Sequence, residues 1–398
     1  LTFEHPADGA LSYYFRNHRE LGHADRGFVA EACFSTLRRL RSLSARCPDD
    51  QPRKLLLASM FCLRGWNLKQ MAPVLNDTDA EWLSAAKAMP VDSWPLAVRL
   101  DLPDWLFERL SAKYPLDIEA LATALNRPAP LDLRINPMKV TREAVLQRLA
   151  ADGMPGTACV HSPLGIRLEE KPALSRHPLF LDGSIEVQDE GSQLLGYLVA
   201  PKRGEMVVDF CAGAGGKTLL LGALMRSAGR LYAFDVSEKR LANLKPRLAR
   251  SGLSNVHPVR IESENDIKVK RLAGKLDRVL VDAPCSGLGT LRRNPDLKWR
   301  QSPESVTELT QKQHDILTAA ARLVKSGGRL VYATCSLLAE ENEDVVSAFL
   351  AAHPDFVPLN AAEILSRQGI NVGDEAALRL LPHVHGSDGF FAMAMERK

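Results

Sequence analysis

Cysteine is sparse in this chain: seven among 398 residues, an odd number without the close pairs that hold zinc. A disulfide framework needs a dense, even set and a structural metal site needs clustered ligands, so reduced thiols and no metal are expected. Long apolar runs are missing too, with no window near the roughly 18 consecutive apolar residues of a membrane span. The first ten residues lack the basic stretch and apolar run of a secretory leader. A cytoplasmic setting is the expectation that follows. Nor is there an excess of one charge: 51 Lys and Arg stand against 48 Asp and Glu, a net of +3. Global charge therefore neither demands nor excludes a nucleic-acid partner, and local clusters must decide. Internal repeats and low-complexity tracts are also lacking.

What is present is the composition of a globular protein, 45% hydrophobic and 25% charged. Domains cluster at about 100–150 residues, so two or three packed units are expected. Residues 1–127 show helical spacing, as in Phe28-Val29-Ala32-Phe34-Leu37-Leu40, and predict an all-α bundle. It carries the cations Arg38, Arg39, Arg41, Arg46, Arg53 and Lys54, either a solvated face or a phosphate-contacting one. Residues 128–200 are punctuated by proline and glycine. The short runs Leu131 to Ile135 and Gly165 to Leu168, with an amphipathic helix over 142–151, predict a small α+β connector. In 201–398 strand-like and helix-like segments alternate, which predicts an α/β, Rossmann-like doubly wound sheet.

The run Met206 to Phe210 breaks into Cys211-Ala212-Gly213-Ala214-Gly215-Gly216-Lys217-Thr218 before a helical stretch. Glycines let backbone approach a ligand where a parallel strand gives way to a helix. A phosphate-binding P-loop would need glycine five residues before Gly216, and position 211 is Cys. The following strand, Arg230 to Phe234, ends on Asp235, an acid suited to ribose hydroxyls. That arrangement serves NAD and S-adenosylmethionine equally, or Asp235 simply caps the next helix.

Two further strands end on thiols: Asp277 to Val281 leads into Asp282-Ala283-Pro284-Cys285-Ser286-Gly287, and Gly328 to Ala333 into Thr334-Cys335-Ser336. In a doubly wound sheet both would emerge at the cofactor edge. Carbon 5 of a pyrimidine becomes nucleophilic when a thiolate adds to carbon 6, and two thiols at equivalent strand ends suit that covalent chemistry. Nitrogen 3 then needs a proton, which Asp282 can supply if burial raises its pKa, and a base must later remove the carbon 5 proton. An ordinary thiol titrates near about 8.5, so the attacking cysteine needs positive potential or a helix start nearby.

These stretches together resemble the RsmB-like and Sun/Nop-type RNA cytosine-5 methyltransferases, from about Trp105 to the C-terminus and more loosely before it. The resemblance implies a class I methyltransferase fold that binds S-adenosyl-L-methionine through Cys211, Ala212, Gly213, Ala214, Gly215, Gly216, Lys217, Asp235 and Asp282. It also implies an acid beside the adenine, for which Asp266 is the candidate and Glu262 the alternative. It implies Cys335 as nucleophile, Cys285 as the thiol that promotes product release, and Asp282 as a catalytic residue. The stretches 187–193, 292–296 and 388–391 are also family-like. Asp25-Arg26-Gly27-Phe28 and Leu37-Arg38-Arg39 are similar to the NusB-like domain of bacterial ribosomal RNA enzymes, which implies small-subunit ribosomal RNA as partner. Arg38, Arg39, Arg292, Arg293 and Lys298 are then expected to contact RNA, with Trp299 available for stacking.

Three other functions compete. A DNA cytosine-5 methyltransferase would attack with the Pro-Cys cysteine and would not need the Thr-Cys element. A non-catalytic RNA-binding or ribosome-assembly factor would show decay of a thiol or of the glycine turn, yet all are intact. An oxidoreductase would leave both thiols unexplained. Oligomeric state is not legible.

Overall fold

The computed structural model describes residues 3–47 and 49–398. The chain divides into two compact units: Leu1–Pro128 with Thr290–Pro303, and Ala129–Gly289 with Glu304–Lys398. No helix among the described residues is long and apolar enough to cross a membrane.

The first unit is helical, from Ala7–Asn17 to Ile118–Leu125. Its small cores gather Leu43, Leu55 and Ala58, and then Leu57, Met60, Phe61, Met71 and Leu83. The segment 290–303, placed by sequence in the 201–398 domain, packs here instead. Lys298 Nζ donates to Arg38 O at 2.8 Å and Asn126 Oδ1 at 2.7 Å, and Trp299 Nε1 donates to Leu37 O at 2.8 Å.

The second unit holds two sheets. The strands β1 (Leu131–Ile135), β2 (Gly156–Ala158), β3 (Gly165–Leu168) and β4 (Ile185–Val187) pair antiparallel in the order β2-β3-β1-β4. The helix Arg142–Ala151 covers them through Val145 and Leu149. The larger sheet contains β5 (Met206–Asp209), β6 (Arg230–Asp235), β7 (Val256–Arg260), β8 (Leu276–Asp282), β9 (Val324–Thr334), β10 (Phe356–Leu359), β11 (Leu378–Leu380) and β12 (Phe390–Arg397). Its order is β10-β12-β9-β8-β5-β6-β7, with β11 also pairing β12; β5 to β9 run parallel and β12 antiparallel to β9.

Alternation along these strands feeds two cores, as the pleat requires. Val207, Leu280, Val331 and Ala333 face the helices Glu190–Val199 and Gly216–Leu224, while Val208, Val279, Val281 and Tyr332 face Pro303–Ala321 and Glu343–Ala352. Each fully buried aliphatic side chain contributes about 1.5–3 kcal/mol, so both faces are firmly covered. This is the doubly wound, Rossmann-like arrangement. Strand order reverses between β5 and β8, and a ligand crevice lies beyond strand ends at such a switch.

Candidate active site

Parallel pairing sets the site. β8 runs beside β9 with Asp282 opposite Ala333, and beside β5 with Leu280 opposite Asp209. The turns after these three strands therefore leave the sheet together, carrying the glycine turn, Cys285 and Cys335. Cys285 Sγ and Cys335 Sγ lie 3.4 Å apart, both partly buried. The neighbouring Cys335 thiol and then burial push the Cys285 thiol well up, so it is protonated at neutral pH.

The glycine turn starts from Asp209, a wholly buried carboxyl that burial raises to about 7, although Thr218 Oγ1 donates to it at 2.7 Å. Its other oxygen, Oδ1, has no hydrogen-bond partner. Gly213 and Gly215 adopt left-handed φ of +57° and +84°. A Cβ on Gly213 would meet nothing within 4 Å, so its backbone lies open, whereas one on Gly215 would come within 2.1 Å of Leu244 Cδ1. The two glycines thus answer different needs: ligand approach at 213 and helix packing at 215. Asp235, buried at the end of β6, accepts from Gly213 N and Ser237 N at 2.8 and 2.7 Å, locking the next strand end to the turn.

Carbonyls of the turn are gripped from outside. Arg134 Nη1 donates to Gly216 O at 2.7 Å and to Gln188, and Arg247 Nη1 donates to Ala214 O at 2.7 Å. Arg247 and Arg250 both clasp the Glu186 carboxylate, each through two nitrogens. Nothing in the local sequence marks Arg134, Arg247 or Glu186, since their targets lie between 33 and 82 residues away.

An open backbone at Gly213, a carboxylate on Asp235 with lone pairs to spare and the orphaned Asp209 Oδ1 suit a nucleoside ligand with a cationic end. Cys211 and Ala212 begin this turn, and Cys211 is held as a thiol by burial. Lys217, expected only as part of the cofactor turn, places its ammonium 2.6 Å from Asp282 Oδ2. Burial alone would lower its pKa, but Asp282 more than compensates and raises it. Asp266 closes its own loop, accepting from Glu262 N and Lys268 N at 2.8 Å each, which holds its carboxyl below the usual range. Glu262 is exposed beside Arg260.

The cations expected to meet RNA differ from one another. Arg38 is 8% exposed and donates to Arg292 O at 3.2 Å, and Lys298 is 1% exposed and pushed down to about 7 by burial. Both are internal braces of the helical unit rather than an outward phosphate-contacting face, because each guanidinium or ammonium is covered by the segment it secures. Arg39 is partly exposed and pairs with Asp101, and Arg292 and Arg293 are half-buried. Elsewhere Asp132, Cys159 and Glu190 come together, but Arg167 already supplies the cation, at 2.7 Å from Asp132 and 3.5 Å from Glu190.

The 16S rRNA methyltransferase RsmB/F family matches residues 196–396, and the ferredoxin-like domain of RsmF/B-type methyltransferases matches 102–175. The probable ribosomal RNA small subunit methyltransferase B of Synechocystis is 39% identical over 308 residues, 76% of this chain and 68% of that protein. Its namesake from Bacillus subtilis is 33% identical over 82% of this chain and 73% of its own. Among solved structures, that of PH0851 is 26% identical with a TM-score of 0.82, covering 98% of this chain and 95% of that one. A methyltransferase homologue from Pyrococcus horikoshii is 30% identical with a TM-score of 0.65, covering 76% and 97%. The chain therefore belongs to the RsmB/F family of methyltransferases, whose methyl donor is S-adenosylmethionine.

Proposed function

We propose that this protein methylates carbon 5 of a cytosine in small-subunit ribosomal RNA through a covalent adduct on Cys335. The observation that carries the proposal is the 3.4 Å approach of Cys285 and Cys335 at the ends of adjacent parallel strands, beside the glycine turn. Membership of the RsmB/F family and the names of the relatives support ribosomal RNA as the substrate.

Cys335 Sγ bonds to carbon 6, and the carbon 5–carbon 6 π pair moves through carbon 4 onto nitrogen 3, which takes a proton. Lys217 is the donor of the Lys217–Asp282 pair and delivers that proton, with Asp282 holding the ammonium in place. This differs from an acid role for Asp282 alone, since a carboxylate under an ammonium accepts rather than donates. When bound, S-adenosylmethionine supplies an electrophilic methyl group, and Gly213, Asp235 and the turn 211–217 would hold it. Once carbon 5 is substituted, its proton leaves to a base, the carbon–sulfur bond breaks to return the thiolate to Cys335, and nitrogen 3 gives its proton back to Lys217. Cys285 serves this last stage, from its place 3.4 Å from the attacking sulfur. The target base must be unstacked, because carbons 5 and 6 cannot be attacked within a helix. Of the cations proposed to meet phosphate, Arg39, Arg292 and Arg293 keep partial exposure.

The test uses labelled S-adenosylmethionine and unmethylated small-subunit ribosomal RNA. Cys335→Ala should abolish transfer and adducts, whereas Cys285→Ala should accumulate a denaturation-resistant protein–RNA adduct. An active Cys335→Ala with adducts lost in Cys285→Ala would exchange the two roles, and a wild-type protein without transfer would favour the non-catalytic alternative.

A further inference from the structure

Neither thiol is held by the sheet itself: β8 ends at Asp282 and β9 at Thr334, each before its cysteine. What lies beyond the strands is a buried carboxylate, Glu341. Glu341 is wholly buried, and it accepts from Ser286 N at 2.7 Å, from Ser286 Oγ at 2.5 Å and from Ser336 Oγ. Ser286 follows Cys285 and Ser336 follows Cys335, so one side chain grips the residue after each thiol. The two hydroxyls also lie 3.2 Å apart. Gln313, from the helix Pro303–Ala321, donates to Glu341 Oε1 at 3.0 Å and to Pro284 O at 2.9 Å, tying the residue before Cys285 into the same network. Next to it Asn342 Nδ2 donates to Ser336 O at 3.0 Å while its Oδ1 accepts from Thr334 Oγ1 at 2.5 Å, bracketing Cys335 from both sides.

We propose that Glu341 is a positioning residue for the two-thiol reaction, its carboxylate tying the Cys285 and Cys335 turns together and so fixing the distance across which the base passes from attack to release. The inference rests on the covalent two-cysteine mechanism proposed above. A packing role alone would be met more cheaply by apolar side chains, because burying a charge costs several kcal/mol unless its geometry is fully satisfied. Here the carboxylate takes hydrogen bonds from Ser286 and Ser336, which follow the two thiols, and from Gln313. The negative charge also acts on Cys285 directly, adding to the effects that keep it protonated. Glu341 thus bears on where Cys285 sits and on when it gives up its proton.

The experiment is a single-turnover time course with ribosomal RNA, following adduct formation and adduct resolution across pH for wild type, Glu341→Gln, Glu341→Asp and Cys285→Ala. Glu341→Gln preserves shape and removes charge. Its adduct should form within about threefold of the wild-type rate but resolve at least about tenfold more slowly, the size expected when a proton-transfer group is mispositioned. Losing the anion lowers the Cys285 pKa, so the rising limb of resolution against pH should move to lower pH, and Glu341→Asp should return it towards wild type. S-adenosylmethionine binding and thermal unfolding of each variant report folding. Formation and resolution falling together with the pH limb unmoved, or resolution unchanged, would overturn the positioning role while wild type and Cys285→Ala still form adducts. No adduct in either of those two proteins would instead sink the two-cysteine mechanism, and this inference with it.

Discussion

Replacing Lys298 by Met isolates the most heavily penalised cation of the helical unit. Its ammonium is 1% exposed, donates to Arg38 O and Asn126 Oδ1, and is pushed from 10.5 to about 7 by burial. At about 1.4 kcal/mol per pH unit, that difference corresponds to roughly 5 kcal/mol of penalty on the charged form. Well below pH 7 both folded and unfolded chains hold the proton, so Lys298 gives no pH dependence there. Between pH 7 and about 10.5 the unfolded chain keeps a proton that the folded chain has released, so stability rises with pH through this window. With the folded lysine about half titrated at pH 7, the gain from about pH 7 to about pH 8.5 is roughly 1.5 kcal/mol. Lys298→Met removes that gain; it also strips a donor from two buried acceptors, at about 1–3 kcal/mol each way of counting, so absolute stability is the poorer readout. All five tryptophans, Trp66, Trp82, Trp94, Trp105 and Trp299, lie in the helical unit, so their fluorescence in urea titrations reports that unit. The expected result is a wild-type pH slope steeper than that of Lys298→Met by this amount. Equal slopes, or a wild type that weakens as pH rises relative to the variant, would refute a buried, half-titrated lysine.

Gly215→Ala forces a side chain into left-handed backbone and onto Leu244. It should cost about 2–4 kcal/mol in denaturant titrations and weaken cofactor binding, and an unaffected variant would show that the turn relaxes freely. Lys217→Met leaves Asp282 without its ammonium. Methyl transfer in single turnovers should fall by about 10²–10⁴-fold with cofactor affinity changed far less, and a rate within a few fold of wild type would remove Lys217 from proton delivery.

The central strands were legible because a parallel strand buried on both faces must be apolar along its whole length. Met206–Val208, Val279–Val281 and the latter half of Val324–Thr334 stand out as such runs, and the residues that follow them carry the glycine turn and both thiols. The helix Arg142–Ala151 was equally plain from its amphipathic spacing. The antiparallel β10, β11 and β12 were not, being short or lacking a tight hairpin between partners. Glu341 sits in the acidic run Glu340 to Asp344, which reads as the start of a helix. That helix begins only at Glu343, and Glu341 turns inward to a serine 55 residues earlier in the chain.

Sequence alone thus determined that the central parallel strands exist and which glycines, acids and cysteines stand at their ends, because periodicity and strand-end motifs are local. Tertiary structure alone decided what each charge does. Arg38 and Lys298 became internal braces, Lys217 became the partner of Asp282, and segment 290–303 joined the helical unit. Whether a charge meets solvent, a carbonyl or an opposite charge depends on groups far away in sequence, and desolvation together with the hydrogen bonds that offset it exists only once those groups have been brought together.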